Sequence, residues 1–197
     1  DKAQFRVFAS DLTKYMQAHG SEKMYGMTLG DMTWDLYWYR NKFSFPEYLD
    51  EINRDIKGLQ IFHTMGNHDN DFKIAAPDAD FLAAAEYVKN LGPSFYSFNI
   101  GKIHYIVLDD IDCSKYDGTE SRKYSKSLAP EQIEWLKKDL EYVDKSTPLI
   151  ITTHAQIFYP VSGNIFKIDH SESNTRTLLA ALSGYNVNFV TGHTHVI

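Results

Sequence analysis

Ile61-Phe62-His63-Thr64-Met65-Gly66-Asn67-His68-Asp69 is an apolar run that stops at a glycine, followed by an amide, an imidazole and a carboxylate. The run reads as a strand. Three other stretches end in the same way. Met24 to Leu29 leads into Gly30-Asp31, Leu149 to Thr153 leads into His154, and Val187 to Thr191 leads into Gly192-His193-Thr194-His195. In an open parallel sheet the C-terminal ends of the strands lie along one edge, and ligands bind there. One carboxylate, one amide oxygen and several imidazoles at that edge form a donor set for divalent cations.

The rest of the chain alternates helices with strands. Residues 4–19 carry Phe5, Val7, Phe8, Leu12, Tyr15 and Met16 near a helical stripe, and Gly20 stops the helix. Residues 46–58 place Tyr48, Leu49, Ile52 and Ile56 on one side, and 81–91 form a helix closed by Gly92-Pro93. Phe95 to Ile100 and Ile103 to Leu108 flank Gly101-Lys102 and predict a hairpin. Pro130 followed by Glu131 opens a helix whose inner face is Ile133, Leu136, Leu140 and Val143. A last helix is expected near 175–182. The class is α/β, with helices layered on a mostly parallel or mixed sheet.

The chain has 197 residues, enough for one domain with a full core. At 43% hydrophobic and 23% charged it is an ordinary globular composition. A net charge of −6 opposes a nucleic-acid grip, which needs a basic surface. No apolar run reaches the ~18 residues of a membrane span, and no signal peptide opens the chain. The expectation is a soluble protein, cytoplasmic, or periplasmic or secreted if an upstream signal has been removed. Cys113 is the only cysteine, which excludes an internal disulfide and a zinc finger. It lies among Asp109, Asp110 and Asp112, and nearby acids raise a thiol pKa, so it is a poor nucleophile.

Within the donor set, Asp31 can bridge two cations through its two oxygens, Asn67 offers a neutral oxygen, and His154, His193 and His195 offer ring nitrogens. Zn, Fe, Mn, Co and Ni all accept such mixed sets. His63 and His104 fall within strands and read as packed residues. His170 lies in a polar loop that could overhang the site. Trp34, Tyr37, Trp38 and Tyr39 follow Asp31; they read either as packing or as a wall of a substrate cleft. A zinc amidase would require a general-base acid, as in His-Glu-x-x-His, and that string is absent.

Taken together, Gly30-Asp31, Gly66-Asn67-His68-Asp69, His154 and Gly192-His193-Thr194-His195 make the chain resemble the calcineurin-like metallophosphoesterases. The resemblance implies a four-layer α/β/β/α sandwich with mixed sheets and two divalent metal ions (Mn, Fe, Zn, Co or Ni) in the intact enzyme. It implies that Asp31 bridges the metals, that Asn67, His154 and His193 complete one site, and that His195 belongs to the other. It implies that His68 is the catalytic histidine, with Asp69 as its orienting partner, and that the substrate is a phosphate mono- or diester. That family begins with a strand ending in Asp-x-His, which is absent before Asp31, and adds strands after the final His-x-His. Residues 1–197 therefore read as a partial phosphoesterase domain lacking the first strand and the C-terminal strands. The alternative is a non-catalytic piece retaining at most one metal site.

Overall fold

The computed structural model describes residues 2–20, 22–162, 165–168 and 170–195. Its elements in chain order are α1 (Lys2–Ala18), β1 (Tyr25–Leu29), α2 (Asp35–Arg40), α3 (Phe45–Asp55), β2 (Gln60–Thr64), a 3-10 turn (Asn67–Asp69), α4 (Ala79–Ala83), α5 (Ala85–Leu91), β3 (Tyr96–Ile100), β4 (Ile103–Val107), β5 (Ile111–Asp112), β6 (Ser125–Lys126), α6 (Pro130–Leu140), β7 (Leu149–Thr153), β8 (Phe158–Ser162), β9 (Ile165–Ile168), α7 (Glu172–Ala181) and β10 (Val187–Thr191). The architecture is mixed α/β, with helices outside mixed sheets and no closed barrel among the described residues.

β1 and β2 pair in parallel as one small sheet. A second sheet has the order β10-β7-β4-β3, with β10, β7 and β4 parallel and β3 antiparallel to β4. The expected turn at Gly101-Lys102 joins β3 to β4, with Ile100 opposite Ile103 and Gly101 at φ +60°. α6 and α7 provide the crossovers that parallel pairing requires.

The two sheets meet face to face. The rings of Phe62 and Phe98 stack 3.7 Å apart, and the Tyr96 hydroxyl donates to the His63 carbonyl at 3.0 Å. The buried hydroxyls of Thr64 and Thr152 bond at 2.9 Å between them. α6 and α7 cover the four-stranded sheet, and Leu136, Leu140, Leu178 and Leu182 share one core with Ile106, Leu149 and Ile151. α1 and α3 cover the small sheet through Ala9, Tyr48, Ile52 and Ile56, with Phe5, Leu12, Met16, Leu59 and Ile61 around them.

Several expectations need correction. In α1 the buried stripe is Phe5, Ala9, Leu12 and Met16, while Val7, Phe8 and Tyr15 are exposed. At 3.6 residues per turn, Val7 and Tyr15 lie well off the Phe5–Leu12 line. The helix expected over 81–91 is two helices meeting at Ala84. α2 and the short pairs β5–β6 and β8–β9 carry no clear period and were not expected. No helix among the described residues is long and apolar enough to cross a membrane.

Candidate metal and phosphoester site

The four strand ends do converge, but not along the edge of one sheet. β1 and β2 end in one sheet, β7 and β10 in the other, and the facing of the sheets brings their C-terminal ends together. The Gly192 N–H donates to the His154 carbonyl at 2.9 Å. The His154 ring reaches across to the end of β1, where Nδ1 lies 2.6 Å from the Leu29 carbonyl oxygen.

Glycine makes this approach possible. At Gly30, with φ +92°, a Cβ would overlap the His154 ring and come within 2.8 Å of the Gly66 Cα. At Gly66 a Cβ would overlap the Asp31 backbone nitrogen and carboxylate. Only a residue without a side chain lets the two sheet ends close to this distance. Three residues in the strand-end segments take the strain. Asp31 (φ +56°), His193 (φ +67°) and His195 (φ +53°) all sit in the left-handed region. Each such non-glycine residue costs on the order of 1 kcal/mol, and such strain concentrates at functional sites.

Four of the five expected metal ligands come together. A carbonyl oxygen only accepts, so His154 Nδ1 carries the proton that it shares with Leu29. In the neutral ring Nε2 then presents a lone pair. That nitrogen lies 3.0 Å from Asn67 Oδ1, 3.1 Å from His193 Nδ1 and 3.4 Å from Asp31 Oδ2. Burial, then the neighbouring His154 ring and Lys126, hold His193 below the usual histidine range and so favour its lone-pair form. Four electron-pair donors thus face one another across about 3 Å, which is unfavourable without a proton or a cation between them. Ligating histidines characteristically donate their second N–H to a carbonyl, as His154 does. Among the described residues, no group of three or more His, Cys, Asp or Glu side chains is placed so that it could hold a metal ion as it stands. His195 is exposed on the turn after His193.

His68 begins beside this cluster. Its backbone N–H donates to Asp31 Oδ1 at 3.0 Å. Its ring does not face Asp69, contrary to the expected pairing. Successive residues of a tight turn point different ways, and Asp69 turns inward. The Asp69 oxygens accept from the Thr33 N–H (3.0 Å) and hydroxyl (3.2 Å), the Gly66 N–H (2.9 Å) and the Met32 N–H (3.4 Å). Burial pushes this carboxyl up to about 7, against the pull of the Thr33 and Gly66 hydrogen bonds. Asp69 therefore stitches the segment after β1 to the segment after β2.

The carboxylate beside the ring is Asp35, with Oδ1 3.3 Å from His68 Nδ1. Asp35 is fully buried and is clamped by Arg122, whose Nε and Nη2 donate to its two oxygens at 2.7 and 2.8 Å. The sequence reading missed both residues. Asp35 lies only four positions after Asp31, on an unrecognised helix. Arg122 lies 87 residues away with no local signal.

Asp110 was also missed. Its oxygens accept the His154 and Ala155 N–H groups, both at 2.9 Å, which fixes the loop carrying His154. The signal for it was present, since Asp110 follows the end of β4 as Asp31 follows β1. His170 is buried, with Nε2 3.0 Å from Asp110 Oδ2. His104 is a packed residue as expected, held between Asn99 and Asp139. Cys113 is buried with its thiol pushed far up by burial, in keeping with an inert cysteine.

No curated protein matches the chain. The family model for calcineurin-like phosphoesterases matches residues 8–197, nearly the whole length. With that match over the same strand-end glycines, carboxylates and histidines, the chain belongs to the calcineurin-like phosphoesterase family.

Proposed function

We propose that the chain carries the site of a metal-dependent phosphoesterase that hydrolyses a phosphate mono- or diester, with His68 assisting the leaving group. The family in general couples phosphoester hydrolysis to divalent metals. The observation that supports the reading here is the gathering of Asp31, Asn67 and His193 within 3.0–3.4 Å of His154 Nε2, with the His68 backbone N–H donating to the same Asp31.

Asp31, Asn67, His154 and His193 would hold one divalent ion, with His195 and Asp31 contributing to a second. When bound, the metals supply Lewis acidity and a water acidic enough to act as a nucleophile near neutral pH. The chain's own residues do the rest. Gly30 and Gly66 let the donors approach. Asp110 fixes the His154 loop, and Asp69 fixes the approach of Asp31 and Asn67. Asp35 keeps the His68 ring oriented through Nδ1, leaving Nε2 to give a proton to the departing oxygen. Arg122 holds Asp35 in place.

His68→Ala is expected to lower turnover of p-nitrophenyl phosphate or bis-p-nitrophenyl phosphate by about 10²-fold or more. Metal content by elemental mass spectrometry should be unchanged, because the four gathered donors remain. Full turnover in this variant would refute the reading. One metal or none in the parent chain, with no turnover on either ester, would instead support a non-catalytic domain.

A further inference from the structure

Four aromatic residues follow Asp31, and the structure separates them into two pairs. Trp38 is packed against Phe45, and its indole N–H donates to Thr33 Oγ1 at 2.9 Å. Tyr39 packs on Phe72, lies beneath the Lys73 ammonium and donates its hydroxyl to Asp71 at 2.6 Å. Those two are accounted for by packing and surface pairing. Trp34 and Tyr37 are not. They remain 38% and 42% exposed, with rings 4.6 Å apart and inclined at 58°.

Their position is specific. The Trp34 ring meets the His68 ring edge-on, with centroids 5.7 Å apart. The backbone on each side of Trp34 is clamped. Thr33 donates twice to the buried Asp69, and Asp35 is held bidentately by Arg122. The Tyr37 N–H closes onto the Trp34 carbonyl at 2.6 Å. An indole held on so rigid a base and left open to water loses little entropy when a ligand covers it. Flat rings gain on such a face through stacking, and polar alkyl chains do not.

We infer that Trp34 and Tyr37 form the leaving-group subsite beside His68, and that this subsite takes a phosphate ester whose alcohol portion carries a planar aromatic ring. The inference rests on the proposed role of His68. If His68 Nε2 protonates the departing oxygen, the carbon skeleton attached to that oxygen emerges next to the His68 ring. Trp34, part-exposed, lies edge-on against that ring. The phosphoryl group would face the Asp31 cluster on the other side.

The test compares benzyl with n-propyl esters, both as phosphates and as methyl phosphates, on the Mn-loaded chain. The readout is the ratio of kcat/KM for benzyl over propyl. Binding of benzylphosphonate against propylphosphonate is measured in parallel by calorimetry. In Trp34→Ala the benzyl-to-propyl ratio should fall about tenfold, both in turnover and in phosphonate affinity. Trp34→Phe should keep most of the preference, and Tyr37→Ala should lose part of it. A ratio that is unchanged in Trp34→Ala overturns the inference, even if both esters slow equally, since equal loss is what a purely packing role would produce.

His68→Ala separates the two levels. Unchanged turnover of both esters in that variant removes the phosphoesterase reading and this inference with it. Loss of both, with the ratio intact in Trp34→Ala, removes this inference alone. Where no ester is turned over, the phosphonate preference decides: its loss in Trp34→Ala supports the subsite and its persistence refutes it.

Discussion

Single residues here carry charge states that the fold imposes on them. His63 lies in β2 beneath Tyr48, with Thr28 Oγ1 3.2 Å from its Nδ1. Burial lowers its pKa from 6.5 to about 4, so the folded chain holds the ring neutral. Between those values the unfolded chain binds a proton that the folded chain does not. Stability from this residue is therefore complete above pH 6.5 and is lost as the pH falls towards 4. The ceiling is about 3 kcal/mol, from 1.36 kcal/mol per pKa unit. Asp109 acts in the opposite sense. Burial, with Asp110 adding, pushes it up to about 8, so its contribution declines as the pH rises from the usual carboxylate range towards 8. The reading is therefore a difference. Urea unfolding of His63→Gln and of the parent should converge as the pH falls from 7 to 4, and a pH-independent gap would contradict a buried neutral ring.

Elements communicate through the Arg122–Asp35 pair. Asp35 opens α2, while Arg122 sits at φ +43° in the loop between β5 and β6. Both side chains are largely buried, so the pair ties that loop to the helix beside His68. Removing one partner strands a buried charge, which typically costs 3–5 kcal/mol, far more than an exposed ion pair is worth. Arg122→Ala should lower the stability by about 3 kcal/mol in denaturant titration. It should also slow turnover, since His68 loses the carboxylate that orients it. Arg122→Lys should recover only part of both, because a lysine cannot occupy both Asp35 oxygens at once. Wild-type stability in the alanine variant would mean that the loop is held by other contacts.

The molecule as a whole depends on two sheets keeping their faces in register, because each supplies half of the gathered donors. The Thr64–Thr152 hydroxyl bond joins them just behind the site, one residue before His154's neighbour Thr153 and three before Asn67. Thr64→Val leaves the Thr152 hydroxyl buried and unpaired, an expected loss of about 1–3 kcal/mol. The Thr64→Val/Thr152→Val double variant should lie closer to the parent than the sum of the single variants, because it removes both unpaired groups. Strict additivity in thermal unfolding would show that the hydroxyls do not interact. The strand ends, their order and the donor types at Asp31, Asn67, His154 and His193 were legible in the residues alone. Apolar runs closed by glycine are local patterns, and a glycine is demanded wherever backbone and ring must meet. The helices over α3 and α6 were legible through their 3.6-residue period, whereas α2 was not, because five of its six residues are aromatic or charged on every side. The chain could not announce by itself that the donors come from two sheets rather than one edge. Nor could it show that Asp35 rather than Asp69 faces His68, or that Arg122 completes that line from 87 residues away. Those outcomes depend on which faces pack together, and local sequence carries no record of a partner that only long-range burial brings within 3 Å.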